Sequence, residues 1–151
     1  MSKRIKKTFE KKGKKLVTFT TGGDPNLETC FEILKTIIDN NIDIVEIGMP
    51  FSDPMADGPT IQESSKRSIE NGTTINDIFE LVKKIRLLNN EIPVILMGYY
   101  NSIFNMGIEK FTLKCVEVGV DGLIIVDLQP EEDSDLFKKT KENNIDLIRL
   151  I

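Results

Sequence analysis

The 151-residue sequence contains no histidine, no tryptophan and only two cysteines. Without histidine there is no Ser-His-Asp or Cys-His nucleophile, no His-ligated zinc and no imidazole acid or base. Proton transfer must fall to carboxylates, tyrosine, lysine or cysteine. Cys30 and Cys115 lie far apart and form no C-x-x-C pair, so they read as two reduced core thiols of a cytoplasmic protein. No apolar run approaches the ~20 residues of a membrane span. The N-terminus lacks the apolar stretch of a signal peptide. With 40% hydrophobic residues the chain holds enough apolar material for one globular core and too much for a disordered tail.

Charge is unevenly placed. Residues 1–15 carry eight Lys/Arg and one Glu, a net +7, while the remainder carries 12 basic and 23 acidic residues, a net −11. Ile5 and Phe9 lie four apart within the basic stretch, which suits an amphipathic helix over about 3–12 with a solvated rim. One interleaved aromatic and an acidic body argue against a nucleic-acid arm.

Beyond residue 15, strands and helices alternate. LVTFTT (16–21), DIVEIGM (43–49), PVILMGY (93–99), GLIIVDL (122–128) and DLIRLI (146–151) read as five short strands. Between them the apolar spacing predicts helices from Leu27 to an end at Asn40-Asn41 and over about 60–71, 74–88 and 107–118, with Thr74 as an N-cap and Asp77 three residues on. Pro130 is expected to open a further helix, with Glu131, Glu132 and Asp133 in its first turn and Lys138, Lys139 and Lys141 in its last. Asn-Ile-Asp precedes strands two and five and Gly-Val-Asp precedes strand four, a recurring helix-to-strand turn in a repeated βα unit. Strands apolar on both faces belong to a parallel sheet covered by helices.

The class is therefore α/β, an open doubly wound sheet or a barrel. Two features favour a (β/α)8 TIM barrel, here incomplete with five strands. Gly22-Gly23-Asp24-Pro25 after strand one matches neither G-x-G-x-x-G nor a P-loop. The sequence also stops inside an apolar strand, and five strands do not close an eight-stranded barrel of about 250 residues. We expect one domain over 1–151, the N-terminal part of a barrel whose C-terminal part is missing.

In such folds function gathers at the C-terminal ends of the strands. The acids there are Asp24, Glu46, Asp53, Asp57 and Asp127. Glu46 sits inside an apolar strand, and period two puts Ile44, Glu46 and Gly48 on one face. Desolvated at the top of a barrel it would carry protons near neutral pH. The alternative is a structural carboxylate hydrogen-bonded to backbone or to a buried lysine. The loop Phe51-Ser-Asp-Pro-Met-Ala-Asp-Gly-Pro59 holds two Asp-centred turns in tandem. Turns alone account for proline and aspartate there, but long loops at this end of a strand also carry specificity, and Glu46 and Asp57 can converge on one ligand.

The stretch Glu46-Ile-Gly-Met-Pro-Phe-Ser-Asp-Pro-Met-Ala-Asp-Gly-Pro-Thr-Ile-Gln62 closely resembles the signature of the tryptophan synthase alpha chain family. Thr21-Gly-Gly-Asp-Pro25, Met97-Gly-Tyr-Tyr-Asn101, Phe104-Asn-Met-Gly107 and Gly119-Val-Asp-Gly122 follow in that family's order. The resemblance implies a lyase of tryptophan biosynthesis. It would cleave indole-3-glycerol phosphate to indole and glyceraldehyde 3-phosphate, with no metal or organic cofactor in the alpha chain. It implies that Glu46 protonates the indole ring and that Asp57 accepts the indole N–H, with Phe19 and Tyr99 lining the ring pocket. It implies a beta-chain partner carrying pyridoxal phosphate in an alpha2beta2 tetramer, contacted through Asp53, Pro54, Asn101 and Asn105, and a cytoplasmic location with no nucleic acid or membrane.

Two departures stand out. Gln129 replaces a proline usual in the family, and Gly22 stands where many members have a slightly larger residue. The family's phosphate-binding glycines and serine lie beyond Ile151, so little or no activity is expected of these 151 residues alone. Two other readings are a non-catalytic fragment that keeps only a partner face and a phosphate-binding barrel with another substrate. The tandem Asp loop argues against the latter, since fold alone does not separate functions.

Overall fold

A computed structural model of the chain describes residues 1–150. Helix α1 (Lys3–Glu10) precedes β1 (Val17–Thr21), α2 (Leu27–Asp39), β2 (Ile44–Gly48), α3 (Pro59–Glu70) and α4 (Ile75–Leu88). Then come β3 (Val94–Gly98), α5 (Tyr100–Met106), α6 (Ile108–Val118), β4 (Gly122–Ile125), α7 (Ser134–Glu142) and β5 (Asp146–Ile148). All neighbouring strands are parallel and pair in the order β1-β2-β3-β4-β5. A doubly wound sheet reverses its strand order partway. A sequential order is the winding of a barrel.

The two sheet faces differ. The outer face, with Val45, Ile47, Val94, Leu96, Leu123 and Ile125, is sealed by α2, α4 and α6 through Leu34, Phe79, Val82 and Phe111 in one large core. The inner face carries only a small buried cluster of Ile44, Ile95 and Ile124, with Met97, Val126 and Ile148 partly covered beside it. Helix α1 lies under the inner face at the N-terminal ends of the strands. Ile5 packs close to Gly122 there, at van der Waals distance from where a Cβ would stand.

The recurring helix-to-strand turn has a physical basis. Asn41, Gly119 and Asn144 all adopt positive φ, at 60°, 86° and 57°. Glycine and asparagine are the residues that enter this region at least cost. The following aspartates then cap neighbouring backbone. Asp43 accepts the Leu16 N–H at 2.9 Å and Asp121 accepts the Val94 N–H at 3.0 Å. Asp121, 2% exposed, also takes Ser2 Oγ at 2.5 Å, Arg4 Nη1 at 3.2 Å and Arg86 Nη2 at 2.5 Å. One carboxylate thus ties α1 and α4 to the bottom of the sheet. The expected cap at Thr74 is a full capping box with Asp77.

Several boundaries differ from expectation. Helix α1 ends at Glu10; Ile5 and Thr8 are buried, whereas Phe9 borders a hollow on the inner face and is 60% exposed. Helix α3 runs Pro59–Glu70, one residue earlier than the spacing suggested. Helix α5 was not anticipated. Its seven residues are too few to show a helical period, and it starts because Asp127 accepts the Tyr100 N–H at 2.7 Å. Strand β4 ends at Ile125, so Asp127 lies in the loop beyond it. Pro130 opens a turn rather than a helix, and α7 begins at Ser134 with Asp135 its acid in the first turn. The Asp133 side chain makes no capping hydrogen bond and lies against Arg149. Strand β5 ends at Ile148, short of the expected 151, and Ile151 lies outside the described residues.

Candidate active site

Glu46 is the central residue of β2, and the ladder sets it level with Phe19 of β1 and Ile95 of β3. Its carboxyl group faces a hollow of about 660 Å³ on the inner side of the sheet, lined nearby by Val17, Ile44, Ile95 and Ile124. Among the described residues no side chain or backbone N–H hydrogen-bonds to it and no cation pairs with it. The reading of Glu46 as a structural carboxylate held by a lysine therefore finds no partner here. Burial among aliphatic side chains pushes its pKa above the usual glutamate range, because desolvation penalises the charged form.

Asp57 belongs to the loop between β2 and α3. That loop is built from two tight turns, with Met55 N–H donating to the Asp53 carbonyl at 2.8 Å and Asp57 N–H to the Pro54 carbonyl at 3.0 Å. Tyr99, at the end of β3, fixes the loop. Its hydroxyl donates to Asp57 Oδ2 at 2.9 Å and accepts the Ala56 N–H at 2.9 Å. Its ring stacks on Phe51, with centroids 5.0 Å apart. Burial, and secondarily the Asp57 carboxylate, raises the pKa of this phenol, so it remains a donor at neutral pH. One Asp57 oxygen is thereby oriented, and Oδ1 has no hydrogen-bond partner among the described residues.

Phe19, Asp57 and Tyr99 share a small cavity of about 20 Å³ with Gly48, Met97, Gly98 and Val126. That is room for about one water. Glu46 lies outside this cavity, in the larger hollow. Three of the four expected ring-site residues are thus brought together, while Glu46 stands level with Phe19 in the strand ladder but outside that cavity.

The other acids are committed elsewhere. Both carboxylate oxygens of Asp24 are held by Arg67, at 2.8 and 2.9 Å. Asp127 caps α5, and Asp53 accepts Ser52 Oγ at 2.5 Å. Asp53, Asn101 and Asn105 are exposed and Pro54 is half-buried. Asn101 and Asn105 sit one turn apart on α5, with Asn105 Nδ2 donating to Asn101 Oδ1 at 2.8 Å.

A set of residues that the sequence reading overlooked holds α3, and with it Asp57, against the end of β1. Thr21 Oγ1 and Ser64 Oγ are 2.6 Å apart, Ser68 Oγ donates to the Gly22 carbonyl at 2.7 Å, and Asn71 Nδ2 to the Pro25 carbonyl at 2.6 Å. Ser64 and Ser68 stand at i and i+4, a small-residue spacing that signals close helix approach. Gly22 belongs to the same contact, since a Cβ there would run into Ile78 and Ile47.

A sequence model described as "Tryptophan synthase alpha chain" matches residues 5–151. The tryptophan synthase alpha chain of Petrotoga mobilis is 46% identical over 150 residues, covering 98% of this chain and 57% of that relative. The crystal structure of tryptophan synthase subunit alpha from Legionella pneumophila superposes with a TM-score of 0.93 at 37% identity, over 97% of this chain and 57% of that one. A chain in the tryptophan synthase α2β2 complex of Pyrococcus furiosus superposes with a TM-score of 0.86 at 35% identity, over 91% of this chain and 58% of its own length. The chain spans a little over half the length of the relatives it matches.

Proposed function

Since this chain belongs to the tryptophan synthase alpha chain family, we propose that it is the N-terminal portion, over 1–151, of a barrel lyase. That lyase splits indole-3-glycerol phosphate into indole and glyceraldehyde 3-phosphate. The observation that carries this reading is the unpartnered, half-buried Glu46 of β2, together with Asp57, in the loop that follows β2, oriented by Tyr99. Glu46 in its protonated form donates to the ring carbon that bears the glycerol chain. The positive charge spreads to the ring nitrogen, whose N–H donates to the free oxygen of Asp57. Loss of the neighbouring hydroxyl proton forms the aldehyde, the carbon–carbon bond breaks, and its electrons restore the indole. Glu46, left as carboxylate by the first step, takes that proton. Phe19 and Tyr99 flank the ring. None of these steps calls on a metal or an organic cofactor.

The substrate phosphate finds no anchor among the residues described, and remote binding energy of that kind positions the reacting centre. Its binding residues belong to the part of the relatives that this chain does not span. A pyridoxal phosphate-bearing beta chain in an alpha2beta2 assembly is the proposed partner. The face that would meet it is formed by Asp53, Pro54, Asn101 and Asn105, all on one end of the molecule and accessible. The P. furiosus complex supports that partner. No helix among the described residues is long and apolar enough to cross a membrane, and the proposed location is cytoplasmic.

The test joins this chain to the remaining C-terminal portion of the P. mobilis relative and measures indole release. Activity is expected in the chimera, with Glu46→Gln lowering kcat by about 10²–10⁴-fold. Undiminished turnover in that variant would sink the assignment.

A further inference from the structure

A carboxylate that must meet one atom of a substrate needs its backbone held as well as its side chain. Asp57 is joined to α3 through Gly58, and two observations mark that joint as loose. Gly58 adopts φ −76° and ψ 168°, angles open to any residue that precedes a proline, and a Cβ built there meets nothing within 4 Å. Neither backbone angle nor space calls for glycine, so what glycine adds is freedom of the chain. Pro59 then lacks an N–H, and the Ile61 and Gln62 N–H groups both donate to the Gly58 carbonyl, at 3.1 and 3.0 Å. The first turn of α3 thus passes over the Asp57 carbonyl. Its partner is the Gln62 side chain, whose Nε2 donates to it at 2.8 Å. Gln62 is exposed, and its side chain makes no other hydrogen bond among the described residues.

We propose that Gln62 is a positioning residue for Asp57, a strut that spans the Gly58 joint and ties the acid to α3. The proposal rests on the reading of Asp57 as acceptor of the ring N–H and adds what holds it in place. Helix α3 is a firm base, because Arg67 grips Asp24 and the Ser64 and Ser68 hydroxyls bind Thr21 and the Gly22 carbonyl. Tyr99 fixes Oδ2 from the end of β3, and Gln62 fixes the carbonyl of the same residue from α3. With both bonds made, Asp57 turns neither about its side chain nor about its backbone, and Oδ1 keeps one direction. With Tyr99 alone the carboxylate pivots on a single bond. The positive charge on the ring nitrogen develops only after protonation, so a misdirected Oδ1 slows turnover more than it weakens substrate binding.

The chimera with the C-terminal portion of the P. mobilis relative gives kcat and KM, and amide exchange on the 151-residue chain reads the loop. Gln62→Met keeps the length of the side chain and removes the donor. It is expected to lower kcat about tenfold, within the 10²-fold that a misplacement of about 1 Å can cost, with KM changed less than about twofold. The Ala56 and Asp57 amides should exchange at least about threefold faster, while those of α4 stay as in wild type. Gly58→Ala restricts the joint and, added to Gln62→Met, should raise kcat again by about threefold or more. Unchanged kcat in Gln62→Met, a rise in KM alone, or unchanged loop exchange overturns the strut, as does failure of Gly58→Ala to restore turnover. Each of these results leaves Asp57 standing as the acceptor. A wild-type chimera that releases no indole, or an Asp57→Asn variant as fast as wild type, sinks the reading of Asp57 and the strut with it.

Discussion

Replacing Asp121 by alanine should be among the most destabilising single changes in the molecule outside the hydrophobic core. Its carboxylate is 2% exposed and accepts from Ser2, Arg4, Arg86 and the Val94 N–H. The Arg86 side chain is itself only 9% exposed, and burial holds its pKa down, at about 10, against the upward pull of Asp121. Breaking a buried pair by removing one partner typically costs ~3–5 kcal/mol, because the other charge is left uncompensated. Here Arg86 keeps carbonyl partners at Gly119, Asn89 and Ile92, at 2.8, 3.4 and 2.6 Å, which places the loss near the lower end, about 3 kcal/mol. The same change releases Ser2 and Arg4, so α1 should detach before the rest unfolds. Urea unfolding followed by circular dichroism gives the total, and amide exchange over residues 3–10 gives the local part. The double change Arg86→Met with Asp121→Leu removes both charges together but leaves the Val94 N–H and the carbonyls that Arg86 served without partners, so it should recover only part of the loss. A loss under about 1 kcal/mol for Asp121→Ala, or no recovery in the double variant, would refute the reasoning.

Three further outcomes follow from the geometry. Because burial raises the Glu46 pKa in the folded state, the folded protein binds that proton more tightly than the unfolded chain. Its stabilising contribution is full below about pH 4.5 and is lost as pH rises through the folded value. Glu46→Gln should therefore raise Tm at pH 7 and leave it unchanged near pH 4, and a gain of equal size at both pH values would contradict the burial argument. Asn41→Val should cost about 1–2 kcal/mol in chemical unfolding because of the positive φ, whereas Asn41→Gly should cost far less. Thr74→Ala breaks the capping box of α4 and should lose about 1 kcal/mol. A change of a few tenths there would show that the cap is redundant with the packing of Ile78 and Phe79.

The alternation of strands and helices was legible because each long element repeats a strong local signal. The helix-to-strand turns were legible for the same reason, since Asn41, Gly119 and Asn144 are residue types chosen by backbone angle. Helix α5 was hidden by its length and by its dependence on Asp127, which is distant in sequence. The start of α7 was not legible because Pro130 and the three acids after it imitate an N-terminal turn. At the site, strand alternation alone put Glu46 on the face shared with Ile44 and Gly48. The Tyr99–Asp57 bond and the anchoring of α3 by Ser64, Ser68 and Arg67 join segments more than 40 residues apart. No local pattern encodes such pairs.

The proposed chemistry turns on the protonation of Glu46, and its carboxyl carbon reports that directly. Titration of the ¹³Cδ resonance of Glu46, assigned by comparison with Glu46→Gln, should give a pKa clearly above that of the exposed glutamates, moving higher again when indole is added. A value at or below the ordinary glutamate range would mean that the carboxyl group is solvated or paired, and Glu46 would lose its claim to be the proton carrier.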